Sequence, residues 1–115
     1  MDMPTITGIE RSANQDSVRL AISISPGLDV FRGHFDEAPI VPGVVQIHWA
    51  LRLANQYLVA VSPLAIDCME AVKFQQVMTP GAELTLDLEL INNKLVFAYR
   101  SPAASYSSGK IPLTP

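Results

Sequence analysis

Phe31-Arg32-Gly33-His34-Phe35-Asp36-Glu37-Ala38-Pro39-Ile40-Val41-Pro42-Gly43-Val44-Val45-Gln46-Ile47-His48-Trp49 contains both histidines of the chain, His34 and His48, and a Pro42-Gly43 pair placed before a long apolar run. Proline is well tolerated at the first helical position, because its missing N–H would have had no partner inside the helix. Glycine beside it lets another group come close to the backbone. The stretch reads as a loop carrying His34, then a helix that opens near Pro42 and points its free N–H groups back toward that loop. Such a helix end suits developing negative charge.

The helix is expected from about Val44 to Val61, with Pro63 marking the exit. Val44, Ile47, Leu51, Ala54 and Leu58 lie on one side, and Val45, Trp49, Leu53 and Tyr57 spread over others. A helix that is hydrophobic nearly all round is expected to be buried. One polar stripe interrupts it: His48, Arg52, Asn55 and Gln56.

The remainder reads as strands. A short one lies around Ile6 to Glu10. Ser17 to Ile24 alternates cleanly, with Val18, Leu20, Ile22 and Ile24 on one face, so one face is buried. Pro26-Gly27 ends it. Ile66 to Val77 is long and mixed, and Thr79-Pro80-Gly81 is a turn. Leu84, Leu86, Leu88 and Leu90 alternate with polar residues, Asn92-Asn93 suits a tight hairpin, and Leu95 to Arg100 returns from it. Tyr106 to Leu113 pairs last, and Pro112 suggests that it is an edge strand. One helix with several antiparallel strands gives an α+β domain, the helix lying against a curved sheet.

At 115 residues, without repeats or a dividing linker, the chain is expected to form one domain over residues 1–115. Nearly half of it is hydrophobic and only 17% is charged, which argues against disorder. A net charge of −3 offers no electrostatic attraction to nucleic acid or an anionic membrane. Cys68 is the only cysteine, so no intrachain disulfide forms. No Cys/His cluster has zinc spacing, and neither metal nor cofactor is expected. Met1-Asp2-Met3-Pro4 lacks the features of a secretory signal, and the apolar run is broken by His48, Arg52, Asn55 and Gln56, which makes it a poor membrane span. A cytoplasmic protein is expected.

Gly33-His34-Phe35 followed by Pro39-Ile40-Val41-Pro42-Gly43-Val44 resembles the signature of the FabZ-type (3R)-hydroxyacyl-acyl-carrier-protein dehydratases. That signature is Gly-His-Phe, a short turn, Pro, two apolar residues, then Pro-Gly-Val opening a helix. Val72-Lys73-Phe74 and Thr79-Pro80-Gly81 are similar to later parts of the same family, and the likeness runs from about Val18 to the C-terminus. Gln46-Ile47-His48-Trp49-Ala50 looks closer to the dehydratases of aryl-polyene pathways. The resemblance implies a hotdog fold, an antiparallel sheet wrapped around one long central helix. It also implies a homodimer or dimer of dimers with sites at the interface, and a 3-hydroxyacyl substrate on an acyl carrier protein.

Dehydrating such a thioester requires a base for the proton beside the carbonyl, an acid for the leaving hydroxyl, and a donor for the enolate-like charge. An imidazole titrates near neutral pH, so His34 can be the base. The Gly43 N–H can polarise the carbonyl, where a side chain would crowd the substrate. The resemblance assigns these roles to His34 and Gly43, and places Phe35, Pro42, Val44 and Arg52 at the substrate. The family's acid, a Glu or Asp fourteen positions after the catalytic His, is replaced by His48, which is expected to do its work. The family's Gln four residues on is Arg52, which opposes protonation of His48 if the two are close. The turn after His-Phe, usually Pro-Gly, is Asp36-Glu37.

Taken one at a time these residues are bland: a surface histidine, a helix start, the solvated side of a helix, an acidic turn. The alternative functions are a hotdog acyl-thioesterase or a non-catalytic acyl-thioester binder. Hotdog thioesterases usually activate water with a helix carboxylate, and the segment from Val44 to Val61 has none. Because carrier proteins are acidic and this chain is net negative, docking is expected to use a local basic patch, with Arg32, Lys73 and Arg100 as candidates.

Overall fold

Alternation of apolar and polar residues builds the sheet, as period-2 side-chain placement requires. A computed structural model describes residues 2–32, 39–58 and 69–113. Its strands are β1 (Thr5–Arg11), β2 (Ser17–Ser23), β3 (Glu70–Phe74), β4 (Glu83–Ile91), β5 (Lys94–Arg100) and β6 (Ser105–Pro112), and its helix is α1 (Gly43–Tyr57). They form one antiparallel sheet in the order β1-β2-β4-β5-β6-β3. The inner face packs on α1 to give one core, which is the hotdog arrangement.

Two rows of cross-strand neighbours define that inner face. Val18, Leu88, Phe97 and Gly109 form one row, and Leu20, Leu86, Tyr99 and Ser107 the other. Gly109 makes room for Phe97: a Cβ there would stand 2.9 Å from the ring. Asn92 and Asn93 both have positive φ, 50° and 60°, as a type I′ hairpin turn requires. In β3 the register shifts between Glu70 and Lys73, and Ala71 takes a left-handed φ of 51°. This is a bulge in an edge strand.

Three expectations change. β6 is not an edge: it lies between β5 and β3, and β3 is the edge. Pro112 is accommodated because it follows Lys110, the last β6 residue paired with β3. The helix is not buried all round, since Val44 is 51% exposed and the polar stripe of His48, Arg52, Asn55 and Gln56 faces outward. Its inner face is Gln46, Ile47, Trp49, Ala50, Leu53 and Ala54. Pro42 is the N-cap rather than the first helical residue, with φ −59° and ψ 150°. At the other end described helix stops at Tyr57, and the expected extension to Val61 lies outside the described residues.

On the outer face, Asp87 of β4 accepts hydrogen bonds from Arg19 Nε at 2.9 Å and Arg100 Nε at 2.6 Å. Burial alone would raise the Asp87 carboxyl, but the bonds and charges of Arg100 and Arg19 outweigh it and hold it below its ordinary value. The folded state thus favours the ionised form. That stabilisation is present above the unfolded pKa and is lost as pH falls through the lowered one. Asp87→Asn is expected to cost about 1 kcal/mol near neutral pH, as for a partly exposed pair. Thermal unfolding over a pH series checks this. The gap from wild type should close below the ordinary carboxylate range, whereas a constant gap would show that the charge is irrelevant.

Candidate active site

The start of α1 is held from both sides. Val41 N–H donates to Met78 C=O at 2.8 Å, which ties the approach segment to the chain leading into β4. Pro42 C=O accepts from the N–H groups of Val45 at 3.0 Å and Gln46 at 3.2 Å. The N–H groups of Gly43 and Val44 have no acceptor among the described residues, as expected of first-turn donors. No acidic side chain stands in that first turn, so none within the helix offsets its positive end.

A groove of about 330 Å³ opens against this helix end. Its walls include Ile40, Val41, Pro42, Gly43, Phe74 and Val77. The structure gives a further reason for glycine at position 43. An ideal Cβ there would stand 2.5 Å from Cζ of Phe74 and 2.7 Å from its Cε1, so a side chain at this position would meet the Phe74 ring. Phe74, on the edge strand, is itself 52% exposed.

Gln46, which also lines the groove, is 3% exposed, and both polar atoms of its amide are bonded. Its Nε2 donates to Val41 C=O at 3.0 Å, its Oε1 accepts from Ser107 Oγ at 2.6 Å, and its backbone C=O accepts from Tyr99 Oη at 2.7 Å. Burial pushes the Tyr99 phenol well up, so it remains a neutral donor. Gln46 and Ser107 are the buried polar residues among those described, and both sit where the Tyr99–Ser107 row meets the helix. The sequence reading overlooked Gln46. The signal was available: Trp49, Ala50 and Leu53 follow it by three, four and seven residues, the spacing of one helix face.

The residues expected at the site fall into three groups. Pro42 and Gly43 border the groove. Val44, His48 and Arg52 lie on the outward face of α1, away from the sheet, and do not line it. His34 and Phe35 lie outside the described residues. Within the described part of one chain, therefore, the helix-end donors and His48 open onto different faces. Among the described residues no group of three or more His, Cys, Asp or Glu could hold a metal ion, and no helix is long and apolar enough to cross a membrane.

A sequence model of the ApeI-like family, described as ApeI dehydratase, matches residues 10–110. The 3-hydroxyacyl-[acyl-carrier-protein] dehydratase FabZ of Ruminiclostridium cellulolyticum is 38% identical over 79 residues, 64% of this chain and 55% of its own. The FabZ of Petrotoga mobilis is 28% identical over 86 residues, 70% of this chain and 61% of its own. The chain thus spans less than two thirds of the length of these curated relatives. Among solved structures, a chain of the dehydratase heterocomplex ApeI:P from Xenorhabdus doucetiae superposes with a TM-score of 0.86 at 35% identity, covering 99% of this chain and 100% of that one. An uncharacterized protein from Erwinia carotovora subsp. atroseptica gives 0.79 at 31% identity, with coverages of 99% and 98%.

Proposed function

Since the chain belongs to the ApeI-like dehydratase family, we propose that it removes water from a 3-hydroxyacyl thioester on an acyl carrier protein, leaving the trans-2-enoyl thioester. In this reading His34 takes the C2 proton while the Gly43 N–H, at the helix end, bonds the thioester oxygen as negative charge gathers there. The C3–O bond breaks as an acid protonates the hydroxyl, which leaves as water. The C2–H electron pair becomes the new double bond. The observation that carries the reading is that the Gly43 and Val44 N–H groups have no acceptor among the described residues, at a helix end bordering a groove whose lining combines Ile40, Val41, Phe74 and Val77 with three glutamines. That is a place for an oxyanion beside an acyl chain.

His48 is proposed as the acid. Because it opens away from the groove of its own chain, the reading requires a second subunit, with the outward face of α1 turned toward that subunit's site. Two features support this. Among the described residues no strand pairs with the outer edge of β3, and Val44, Phe74 and Val77 are large apolar residues more than half exposed. A second copy of the chain is the first choice. The dehydratase heterocomplex of the Xenorhabdus relative favours a second reading, in which a different dehydratase-type subunit pairs here. Sedimentation of the active protein checks the point, since a monomer with full activity would contradict any shared site.

Among the carrier-docking candidates, Arg100 is engaged by Asp87 and Arg32 by Asp29 at 3.3 Å, whereas Lys73 makes no ion pair among the described residues. Lys73 is therefore the proposed contact. Carrier binding that does not weaken with salt would oppose this.

Thioester hydrolysis is the competing activity, and α1 carries no carboxylate to activate water for it. Product analysis with paired 3-hydroxyacyl and saturated acyl thioesters decides between them. Dehydration yields an enoyl product from the first substrate only. Hydrolysis releases free thiol from both, and a binding protein releases nothing.

A further inference from the structure

The buried amide of Gln46 is bonded at both ends, its nitrogen to the helix entry at Val41 and its oxygen to Ser107 of β6. We propose that Gln46 is a positioning residue: by holding Val41 C=O while anchored to β5 and β6, it sets where the Gly43 N–H points. The role rests on the dehydratase reading above, in which that N–H meets the thioester oxygen.

The geometry is specific. Val41 is bracketed, its N–H given to Met78 C=O and its C=O taken by Gln46 Nε2. Only Pro42 separates Val41 from Gly43, and the proline ring fixes its own φ. The peptide that carries the Gly43 N–H therefore has little freedom once Val41 is held. At the other end, Gln46 is fixed by Tyr99 Oη on its backbone oxygen and Ser107 Oγ on its amide oxygen, both from the innermost layer of the sheet. The sheet thus sets the depth of the helix, and the Gln46 amide passes that placement to the turn. An apolar residue would fill the same space. It would also leave Val41 C=O and Ser107 Oγ buried without partners, so the turn would have reason to shift.

An oxyanion donor is effective only near its productive position. A shift of about 1 Å can cost on the order of 10²-fold in rate, and losing such a donor costs about 10²–10³-fold. The test separates positioning from stability. Gln46→Met removes both side-chain bonds, whereas Ser107→Ala removes one and leaves the bond to Val41 in place. Both should lower the thermal midpoint. Gln46→Met should reduce kcat by roughly 10-fold or more with KM within about twofold, while Ser107→Ala keeps most of kcat. Equal proportional losses in the two variants, or an unchanged kcat in Gln46→Met, would overturn the proposal.

A second readout does not depend on turnover. The backbone amide resonance of Gly43 should move in Gln46→Met and hold in Ser107→Ala; if it holds in both, the proposal fails. If the wild type forms no enoyl product, the dehydratase reading fails and the resonance alone decides the positioning role. Should Gln46→Met not fold, Gln46→Glu takes its place. A protonated carboxyl can still donate to Val41 C=O and an ionised one cannot, so its kcat relative to wild type should fall as pH rises. A ratio independent of pH would overturn the assignment.

Discussion

His34→Ala is expected to lower kcat/KM by at least about 10²-fold, the usual cost of losing a general base, while the thermal midpoint stays near wild type. The C2 proton beside a thioester is only weakly acidic, so the base cannot be supplied by solvent at a comparable rate. His34 belongs to the Gly-His-Phe segment that the sequence places between the 3₁₀ turn at Asp29–Phe31 and the entry to α1, and a polar residue of such a turn is not expected to fill a core position. Rate and stability should therefore separate. Steady-state turnover measured beside thermal unfolding checks this, and a variant that keeps its activity would remove the mechanism.

The opposite separation is expected at Trp49. It is fully buried against the sheet, and its Nε1 donates to Asp2 C=O at 2.9 Å, pinning the N-terminal segment over the helix. Trp49→Ala opens a large cavity in a core of well-packed side chains. It should destabilise the fold by about 3–5 kcal/mol, a large part of the stability of a domain this size. Trp49→Phe should cost much less, since it keeps most of the volume and loses one hydrogen bond. Chemical denaturation of the two variants measures the difference, and similar small losses in both would mean that the site relaxes around the gap.

Much of this fold is legible in the sequence because its determinants are local. The leucines at 84, 86 and 88 alternate with polar residues, and all three are buried in β4. Asn92 and Asn93 tolerate the left-handed backbone that the hairpin needs, and they adopt it. What local pattern missed depends on long-range partners. Pro112 made β6 look like an edge, but its neighbour β3 ends its pairing two residues earlier, at Lys110. The helix looked buried all round because hydrophobic content does not say which faces find a partner. Val44 is exposed although apolar, and Gln46 is buried although polar. The Gln46 amide is buried with partners on both atoms, Val41 C=O nearby and the Ser107 hydroxyl more than fifty residues away in sequence, while Tyr99 bonds its backbone oxygen. The Pro42-Gly43 helix start was readable as a motif. The packing of the Phe74 ring against that glycine was not, because the ring comes from a distant strand.

The proposal that two imidazoles share the chemistry is tested most directly by kcat/KM as a function of pH in the wild type and in His48→Gln. His34 must be neutral to accept a proton, so activity should rise as it loses its own. His48 must start protonated to donate, so activity should fall as it is neutralised. The wild type should therefore give a bell-shaped profile whose two limbs belong to the pair. Glutamine keeps hydrogen bonding but cannot act as an acid, so His48→Gln should be slower and lack the alkaline fall, while His48→Glu should keep substantial activity. A His48→Gln variant with the wild-type rate and the same bell would contradict the account and place the acid elsewhere.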